Sequence, residues 1–135
     1  MSRRMTPENM FIRGCLPGEV HKAEAVFVQT YADSADWISK GLAAKTYQAH
    51  TVEISGVPQY LIVWHKNDQN VMHVNAVAQL EQGGHTGGLV LAMKEIARRA
   101  ACSAIQGVTV RAGMVKELCA RGFKPVGVMV CCPIA

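Results

Sequence analysis

The sequence predicts an α+β fold in which a mixed, mostly antiparallel central sheet is flanked by about four helices. Helical periodicity occurs near both ends of the chain, and in the middle it gives way to short apolar or alternating runs separated by turn residues. The predicted order of elements is β, α, α, β, β, β, α, β, α, β. A chain of 135 residues fits one domain, so we expect a single domain over residues 1–135.

The first third of the chain predicts one strand and two helices. The strand lies around Phe11, and apolar side chains at helical spacing predict a helix from about 18 to 31. This apolar stripe consists of Val20, Ala23, Phe27 and Tyr31. A second, weaker helix follows, capped by Asp33 or Ser34 and interrupted by Gly41.

The central part of the chain predicts three antiparallel strands joined by two turns. The strands are TVEI, PQYLIVWH and VMHVNAVAQL, and the turns are SG and KNDQN. Alternation divides the third strand into two faces. One face would carry Met72, Val74, Ala76, Ala78 and Leu80, and the other Val71, His73, Asn75, Val77 and Gln79. Because the second face mixes polar and apolar side chains, it leaves room for a site.

Two histidines flank the KNDQN turn. A three-residue loop would bring His65 and His73 opposite one another, whereas a loop of two or four residues would not. A metal pair stays open, but no third ligand lies at convincing spacing. We therefore expect no metal and interpret both side chains as surface or packing histidines.

The last third of the chain predicts a helix, a strand, a short helix and one final strand. The helix LVLAMKEIARRAA has two faces, with Leu89, Met93, Ile96, Ala97 and Ala100 on one and Lys94, Glu95, Arg98 and Arg99 on the other. On the solvated face, Glu95 would pair with Arg99. The strand is SAIQGVTV, the short helix is RAGMVKELCAR with Gly122 at its C′ position, and the final strand is FKPVGVMVCC.

Composition excludes several classes of protein. Half of the residues are hydrophobic and 18% are charged, and no apolar run approaches the roughly 18 residues of a membrane span. Because no apolar stretch follows Arg3 and Arg4, we expect no secretory signal and a cytoplasmic protein. The net charge of +4 suits an anionic ligand but is too small and too dispersed to indicate nucleic acid.

The five cysteines form neither a CxxC pair nor a regular spacing, which argues against a disulfide framework and against a zinc knuckle. We interpret most of them as small buried hydrophobic residues. Alternation in the final strand would turn one of Cys131 and Cys132 inward and the other outward.

The run QGGHTGG at residues 82–88 stands between the last central strand and the strongest helix. Glycine lets backbone N–H groups approach a ligand closely, but it is also common in loops. The run is therefore either a mobile connection or an anion-binding turn at a helix N-terminus, where unpaired N–H groups and the helix dipole favour negative charge.

The element order, this turn and ARGFKPVGV near the C-terminus resemble the GNAT acetyltransferase superfamily. The order resembles that family over essentially the whole chain, while the motifs lie between about residues 72 and 130. The family's turn, (R/Q)xxGx(G/A), holds the pyrophosphate of acetyl-CoA with backbone N–H groups. The resemblance implies acetyl-CoA as cosubstrate. It also implies the following cofactor-binding residues: Val77, Gln79, Gln82, Gly83, Gly84, His85, Thr86, Gly87 and Gly88.

Three positions depart from the family pattern. His85 stands where the family has glycine, and its ring could obstruct the pyrophosphate or donate a hydrogen bond to it. Leu118 stands where many members have a tyrosine that protonates the CoA thiolate, and Arg111 stands where they often have asparagine. Because leucine has no proton to donate, the usual general acid is missing.

The resemblance also implies candidates for the remaining chemistry. An attacking amine must lose a proton, and by position in the family the candidate bases are His73 and Glu81. The backbone N–H of about Val77, in the splayed part of its strand, would donate to the thioester oxygen.

These expectations lead to two hypotheses. The first is a small acyl-CoA-dependent N-acetyltransferase that transfers an acetyl group from acetyl-CoA to an unidentified amine, on a small molecule or a protein, by direct attack. The second is a catalytically inactive GNAT-fold module for binding or structure. Layout and size also resemble accessory proteins encoded by tailed phages, which would imply a protein partner. The question of a homodimer is left open.

Overall fold

The strands and helices occur in the predicted order, with one additional strand near the C-terminus. The computed structural model describes residues 9–31, 35–83, 86–108, 112–126 and 129–134. Its helices are α1 (Pro17–Tyr31), α2 (Ala35–Ala43), α3 (Thr86–Arg99) and α4 (Ala112–Cys119). Its strands are β1 (Met10–Gly14), β2 (Gln48–Ile54), β3 (Val57–Lys66), β4 (Val71–Gln79), β5 (Ala104–Val108), β6 (Lys124–Val126) and β7 (Met129–Pro133).

The seven described strands form one sheet in the order β1-β2-β3-β4-β5-β7-β6. Strands β4 and β5 pair in parallel, and the other described neighbours pair antiparallel. Helix α3 connects the two parallel strands, which a hairpin turn could not do. The prediction of a mixed, mostly antiparallel sheet with about four helices is confirmed for the part of the chain that the structure describes. No helix in this part has the length and apolar character of a membrane span.

Two apolar clusters pack on opposite faces of the sheet. The side chains of β3 alternate between them, with Tyr60, Ile62 and Trp64 in one and Leu61 and Val63 in the other. The first, which we name the α3 core, contains these side chains of α3: Leu89, Val90, Ala92, Met93, Ile96 and Ala97. The second, which we name the α1 core, contains Ala23 and Phe27 of α1 and Ile38 of α2.

Strand β4 carries an extra residue that the alternation pattern did not predict. The pairing with β3 shifts between Val63 and Trp64, where Asn75 is the additional residue of β4 and forms a β-bulge. Before the bulge, Met72 and Val74 pack in the α3 core; after it, Ala76, Ala78 and Leu80 pack in the α1 core. The prediction that all five share one face is wrong, because a single inserted residue reverses the alternation beyond it.

The predicted final strand consists of two strands. Strands β6 and β7 pair antiparallel, and the pair nearest the connection is Val126 with Met129. Residues 127–128, between the two strands, lie outside the described residues. The prediction of one continuous strand over FKPVGVMVCC is wrong, because the two parts of this run pair with each other.

Helix α2 ends at Ala43, and after it the chain folds back so that Tyr47 lies close against Gly41. A methyl group on Gly41 would overlap the ring of Tyr47. The backbone N–H groups of Thr46 and Tyr47 donate to the Gly41 carbonyl at 2.9 and 3.1 Å. The ring of Tyr47 also meets the ring of Trp37 edge-on, with 5.6 Å between the centroids. The glycine that weakens the helical pattern thus allows the chain to fold back against α2.

Three elements meet at Arg13. Its Nη1 and Nη2 donate to both carboxylate oxygens of Glu19 on α1 at 2.8 and 2.6 Å, and its Nε donates to Glu53 on β2 at 2.7 Å. The hydroxyl of buried Thr51 donates to Glu19 at 2.9 Å. The hydrogen bonds from Arg13, which outweigh partial burial, lower the pKa of Glu19 from 4.5 to about 2. The ionised carboxylate therefore holds the start of α1 against the sheet.

Substitution of Gly41 by alanine should destabilise the fold by about 1–3 kcal/mol, because the Tyr47 ring would have to move away from the new methyl group. Gly18 provides the matched control, since it lies in helix α1 and a Cβ there meets nothing within 4 Å. Gly18→Ala should stabilise the protein by up to about 1 kcal/mol. Urea unfolding of both variants tests the contact, and equal effects would contradict it.

The stability supplied by Glu19 should depend on pH with a definite sign. A folded pKa of about 2 lies below the usual 4.5, so the contribution is present in full above pH 4.5 and is lost as the pH falls towards 2. Glu19→Gln should therefore cost about 2 kcal/mol at neutral pH and progressively less in acid.

The matched control for this prediction is Asp36→Asn, which removes an exposed ion pair with Lys40 of 2.9 Å. It should change the free energy of unfolding by about 1 kcal/mol or less. Urea unfolding as a function of pH measures both variants. A Glu19→Gln effect that persists unchanged into acid would show that the carboxylate charge is not responsible.

Candidate active site

The glycine-rich turn lies between the end of β4 and the start of α3, beside an open cleft. The cleft has a volume of about 410 Å³ and is lined by residues 79–83. Within it, Gly83 has a φ of +87°, a conformation that favours glycine. The predicted site residues Gln79, Gln82 and Gly83 therefore share one cleft, whereas Gly84 and His85 lie outside the described residues.

The carbonyl groups of this turn point towards one buried side chain, Gln59 of β3. Its Nε2 donates to the Glu81 carbonyl at 2.7 Å, and the carbonyls of Gln82 and Gly83 lie 3.4 Å away. In a trans peptide the N–H points opposite to the C=O of the same unit. The N–H groups of Gln82 and Gly83 are consequently directed away from Gln59.

The first turn of α3 adds positive charge to this region. It begins at Thr86 and has no acidic side chain, so the partial positive charge of the helix N-terminus is not neutralised there. The guanidinium of Arg121 packs against Gly87, with Nε and Nη2 each 3.8 Å from the position of a Cβ. Glu117 binds Nη1 at 2.7 Å, which orients the group. Gly88 is buried beneath this turn.

The candidate base Glu81 lies in the lining of the cleft as half of an ion pair. Its Oε2 is 2.8 Å from Nζ of Lys22 on α1, and both side chains are about half exposed. The pair connects α1 to the turn. Lys22 is thus a second cation close to the cleft.

The described pairing of β4 with β5 covers the first half of β4, from Val71 to Val74. Strand β4 continues to Gln79, whereas residues 109–111, which follow β5, lie outside the described residues. Val77 follows the described pairs, and its side chain packs against the α3 core.

His65 and His73 lie opposite one another on the sheet, with 5.2 Å between the ring centroids. The turn before β4 closes with a bond from the Asn67 N–H to the Val71 carbonyl, so residues 68–70 form the three-residue loop that this arrangement requires. On its other side, His65 stacks against Tyr47 at 5.4 Å between centroids.

Each of these two imidazoles is held by an amide at Nδ1, but with opposite polarity. Nδ1 of His65 lies 2.9 Å from Oδ1 of Asn75, which can only accept, so this contact assigns the proton of the neutral ring to Nδ1 and leaves the lone pair on Nε2. Nδ1 of His73 lies 3.1 Å from Nε2 of Gln106, which can only donate, so the neutral ring carries its proton on Nε2. Burial, and then the neighbouring His65, lower the pKa of His73.

Other candidates from the sequence have structural roles. Leu118 is 7% exposed and packs in the α3 core, and Gly122 has a φ of +96° at the end of α4, as predicted for a C′ residue. Glu95 pairs with Arg99 at 3.0 Å, also as predicted. Among the described residues, no three His, Cys, Asp or Glu side chains lie close enough to hold a metal ion.

Four cysteines are free thiols in the described part of the chain. Cys102 and Cys132 are buried, Cys15 is half-buried and Cys119 is exposed. Burial raises the pKa of the Cys15 and Cys102 thiols, which keeps them protonated at neutral pH. The prediction that most cysteines are buried thus holds for two of these four.

Comparison with known proteins identifies the fold. No protein-family model matches the sequence, and the comparison with curated proteins finds no match. Solved structures match in three dimensions. An acetyltransferase of Bacillus subtilis in complex with CoA has a TM-score of 0.72 at 13% identity, over 94% of this chain and 99% of that one.

Two further structures have the same fold. A GNAT family acetyltransferase of Brucella melitensis in complex with acetyl-CoA has a TM-score of 0.65 at 17% identity, over 93% of this chain and 88% of that one. A GNAT family acetyltransferase of Elizabethkingia anophelis with acetyl-CoA bound has a TM-score of 0.70 at 11% identity, over 94% and 99% of the two chains. The chain therefore has the GNAT acetyltransferase fold, and the resemblance is confirmed at this level.

Sequence reasoning missed three residues of the site. Gln59 is a polar residue directly before the apolar run YLIVW, and this position was a signal in the sequence that its side chain could be buried. Arg121 stands in the motif ARGF, but only the fold brings it to the start of α3. The role of Asn75 depends on the β-bulge, for which the alternating pattern contains no signal.

The opposite polarity of the two histidines can be measured directly. In the neutral protein, long-range ¹H–¹⁵N spectra should show a protonated Nδ1 in His65 and a protonated Nε2 in His73, because each amide fixes the tautomer. Asn75→Ala should release His65 from its tautomer and leave that of His73 unchanged, which makes the second ring the internal control. The same tautomer in both rings would contradict the assignment.

Proposed function

We propose that the protein is an acyl-CoA-dependent N-acetyltransferase, which transfers an acetyl group from acetyl-CoA to an amine. The observation that carries this proposal is the turn between β4 and α3, whose N–H groups at Gln82 and Gly83 point away from Gln59, beside a cleft. The bound CoA and acetyl-CoA of the similar structures support a phosphate-bearing thioester as the ligand.

The pyrophosphate of CoA is the proposed occupant of the turn. Backbone N–H groups of Gln82 and Gly83 and of the first turn of α3, from Thr86 to Gly88, would donate to its oxygens. The guanidinium of Arg121, which Glu117 binds through Nη1, would donate to the same phosphate group through Nε and Nη2. The backbone of β4 from Val77 to Gln79 would run beside the rest of the cofactor. Glycines allow the close approach that such donors require.

The proposed position of the acetyl group is beside β4 after Val74, where the resemblance implies that the strand is splayed from its neighbour. This position follows His73 and the pair of Val74 with Gly107 along β4. The backbone N–H of about Val77 would donate to the thioester oxygen as negative charge develops on it. A backbone donor suits this role because no side-chain substitution removes it.

The histidine pair is the proposed proton-transfer unit. His65 carries the free lone pair on Nε2, so it accepts the proton of the amine as nitrogen attacks the acetyl carbon. When the C–S bond breaks, the imidazolium of His65 returns this proton to the sulfur of CoA. His73 stays neutral because burial lowers its pKa. Because Gln106 binds its Nδ1, its proton lies on Nε2, which can act as a hydrogen-bond donor in the site.

This scheme reassigns the roles expected from the resemblance. The Gln106 amide favours His65 over His73 as the proton acceptor. Glu81 is the less favoured base, since its carboxylate already binds Lys22. Because the imidazolium of His65 returns its proton to the sulfur, the reaction needs no separate general acid. The leucine at position 118 therefore does not block it.

A second candidate function is a CoA-binding module without catalysis. It is supported by Leu118, which lies in the α3 core at the position where many family members have a tyrosine. In this case the turn and Arg121 would bind the cofactor, and the histidine pair would only pack the sheet surface. The two functions share the binding site and differ in CoA release.

Acetyl-CoA should stabilise the protein against thermal unfolding, by about 2.7 kcal/mol at a concentration of 100 times its Kd. No shift at millimolar CoA would refute both functions. Release of CoA with a panel of amines then separates them, because the binding module would give the shift without release. His65→Ala should abolish release and keep the shift if the transferase proposal is correct.

Substitution of Arg121 by alanine should weaken CoA binding about tenfold, since a charge-assisted contact to phosphate is lost. Arg99→Ala is the matched control, because it removes the same charge at the other end of α3, where Arg99 only pairs with Glu95. Isothermal titration with CoA compares the two variants. Equal losses would mean that Arg121 acts through net charge and not at the site.

A further inference from the structure

Gln59 is unusual among the core residues because it is polar and only 3% exposed. In the described part of the chain, Thr51 is the other polar residue among the buried side chains. Gln59 is the additional residue of β3 where the pairing with β2 shifts, between the pairs Val52–Tyr60 and Glu53–Pro58. A β-bulge changes the direction of side chains, and here the side chain of the bulged residue reaches the turn after β4.

The backbone and the side chain of Gln59 both bind the segment that follows β4 and leads to α3. Its backbone carbonyl accepts from the Leu80 N–H at 2.8 Å, which extends the antiparallel pairing past the end of β4. Its side-chain Nε2 then binds the next carbonyl, that of Glu81, at 2.7 Å, with the carbonyls of Gln82 and Gly83 at 3.4 Å. One residue of a neighbouring strand thus contacts four consecutive residues of the turn.

We propose that Gln59 is a positioning residue for anion binding: its buried amide orients the peptide units of the turn so that their N–H groups face the ligand. The inference rests on the proposed function, since it concerns the same phosphate site. It assigns the role to a side chain that does not touch the ligand. The orientation of the N–H groups follows from the orientation of the carbonyls, because each planar trans peptide rotates as one unit.

The physical reason is the cost of an unsatisfied polar group. The bond between the buried Gln59 amide and the Glu81 carbonyl is partly buried, whereas Glu81, Gln82 and Gly83 are otherwise exposed to solvent. Without its donor the carbonyl has no partner on the side of the core, so the peptide would rotate towards water. Rotation of the Glu81–Gln82 unit would carry the Gln82 N–H towards the core. The N–H groups of the turn would lose their alignment even though every glycine in the turn remained.

A purely structural role for Gln59 makes a different prediction. Loss of a buried hydrogen bond would then lower stability without a specific effect on the turn. Thr51 provides the matched control, because it is buried, its hydroxyl also makes a hydrogen bond, and its partner Glu19 on α1 does not belong to the lining of the cleft. The isosteric changes Gln59→Met and Thr51→Val remove one donor each.

The test is calorimetric titration of CoA into the wild type and the two variants. Gln59→Met should weaken binding at least about tenfold, the equivalent of one buried hydrogen bond, while Thr51→Val should bind as the wild type does. In steady state, the KM for acetyl-CoA should rise for Gln59→Met, with little change in kcat. Wild-type affinity in Gln59→Met would overturn the inference.

A measurement on the free protein separates this inference from the proposed function. Backbone amide shifts and hydrogen exchange of Gln82 and Gly83 should change in Gln59→Met and not in Thr51→Val, whether or not CoA binds. If the wild type fails to bind CoA, the proposed function fails; if these amides are unchanged, the positioning role fails.

Gln59→Glu covers the case in which the methionine variant does not fold. Its carboxyl group can donate to the Glu81 carbonyl only when protonated, so CoA binding should be weak at alkaline pH and recover as the pH is lowered. The groups that face the side chain at position 59 are the turn carbonyls and the Glu81–Lys22 ion pair. If the CoA affinity of Gln59→Glu depends on pH no more than that of the wild type, the role of a donor at this position is contradicted.

Discussion

The extra residue in β4 is the constraint on which the rest of the structure depends. Up to Val74 the strand is paired on both sides, and Met72 and Val74 pack in the α3 core. The bulge at Asn75 then exchanges the faces, so that Ala76 and Ala78 fill the space beneath α1. One inserted residue thus sets the composition of the α1 core and the position from which Asn75 holds the ring of His65.

Buried polar side chains connect the sheet to the segments that pairing cannot reach. Thr51 reaches Glu19 near the start of α1, and Gln59 reaches the turn before α3. A buried polar group is costly unless it is fully bonded, so each of these positions accepts only one arrangement of its partner. The apolar cores determine which faces meet. The two polar side chains determine where the ends of the helices lie on those faces, and the proposed anion site is at one of these ends.

Much of the fold could be predicted because it rests on local periodicity. The stripe of α3 and the C′ glycine of α4 are encoded by neighbouring residues, and the structure agrees with them. The length of the loop before β4, which the sequence left open, is three residues. The bulge at Asn75 and the hairpin of β6 and β7 were missed, since both depend on which strand pairs with which. For the site, the glycine-rich turn was found from the sequence, but Gln59 and Arg121 were not. Both reach the turn from elements distant along the chain, and no local pattern specifies such contacts.

The two halves of the proposed site differ in how they tolerate sequence change. The phosphate half is made of backbone N–H groups and the end of a helix, whose geometry depends on the fold. It can therefore persist at identities of 11–17% to the similar structures. The proton-transfer half is made of side chains, and in this chain Leu118 has no group that could donate a proton. A histidine that accepts the amine proton and returns it to sulfur does the work of a base and an acid with one ring. On this view, loss of the tyrosine removes a specialised acid without removing the reaction. The amides of Asn75 and Gln106 then become as important as the two rings, because they fix the tautomers.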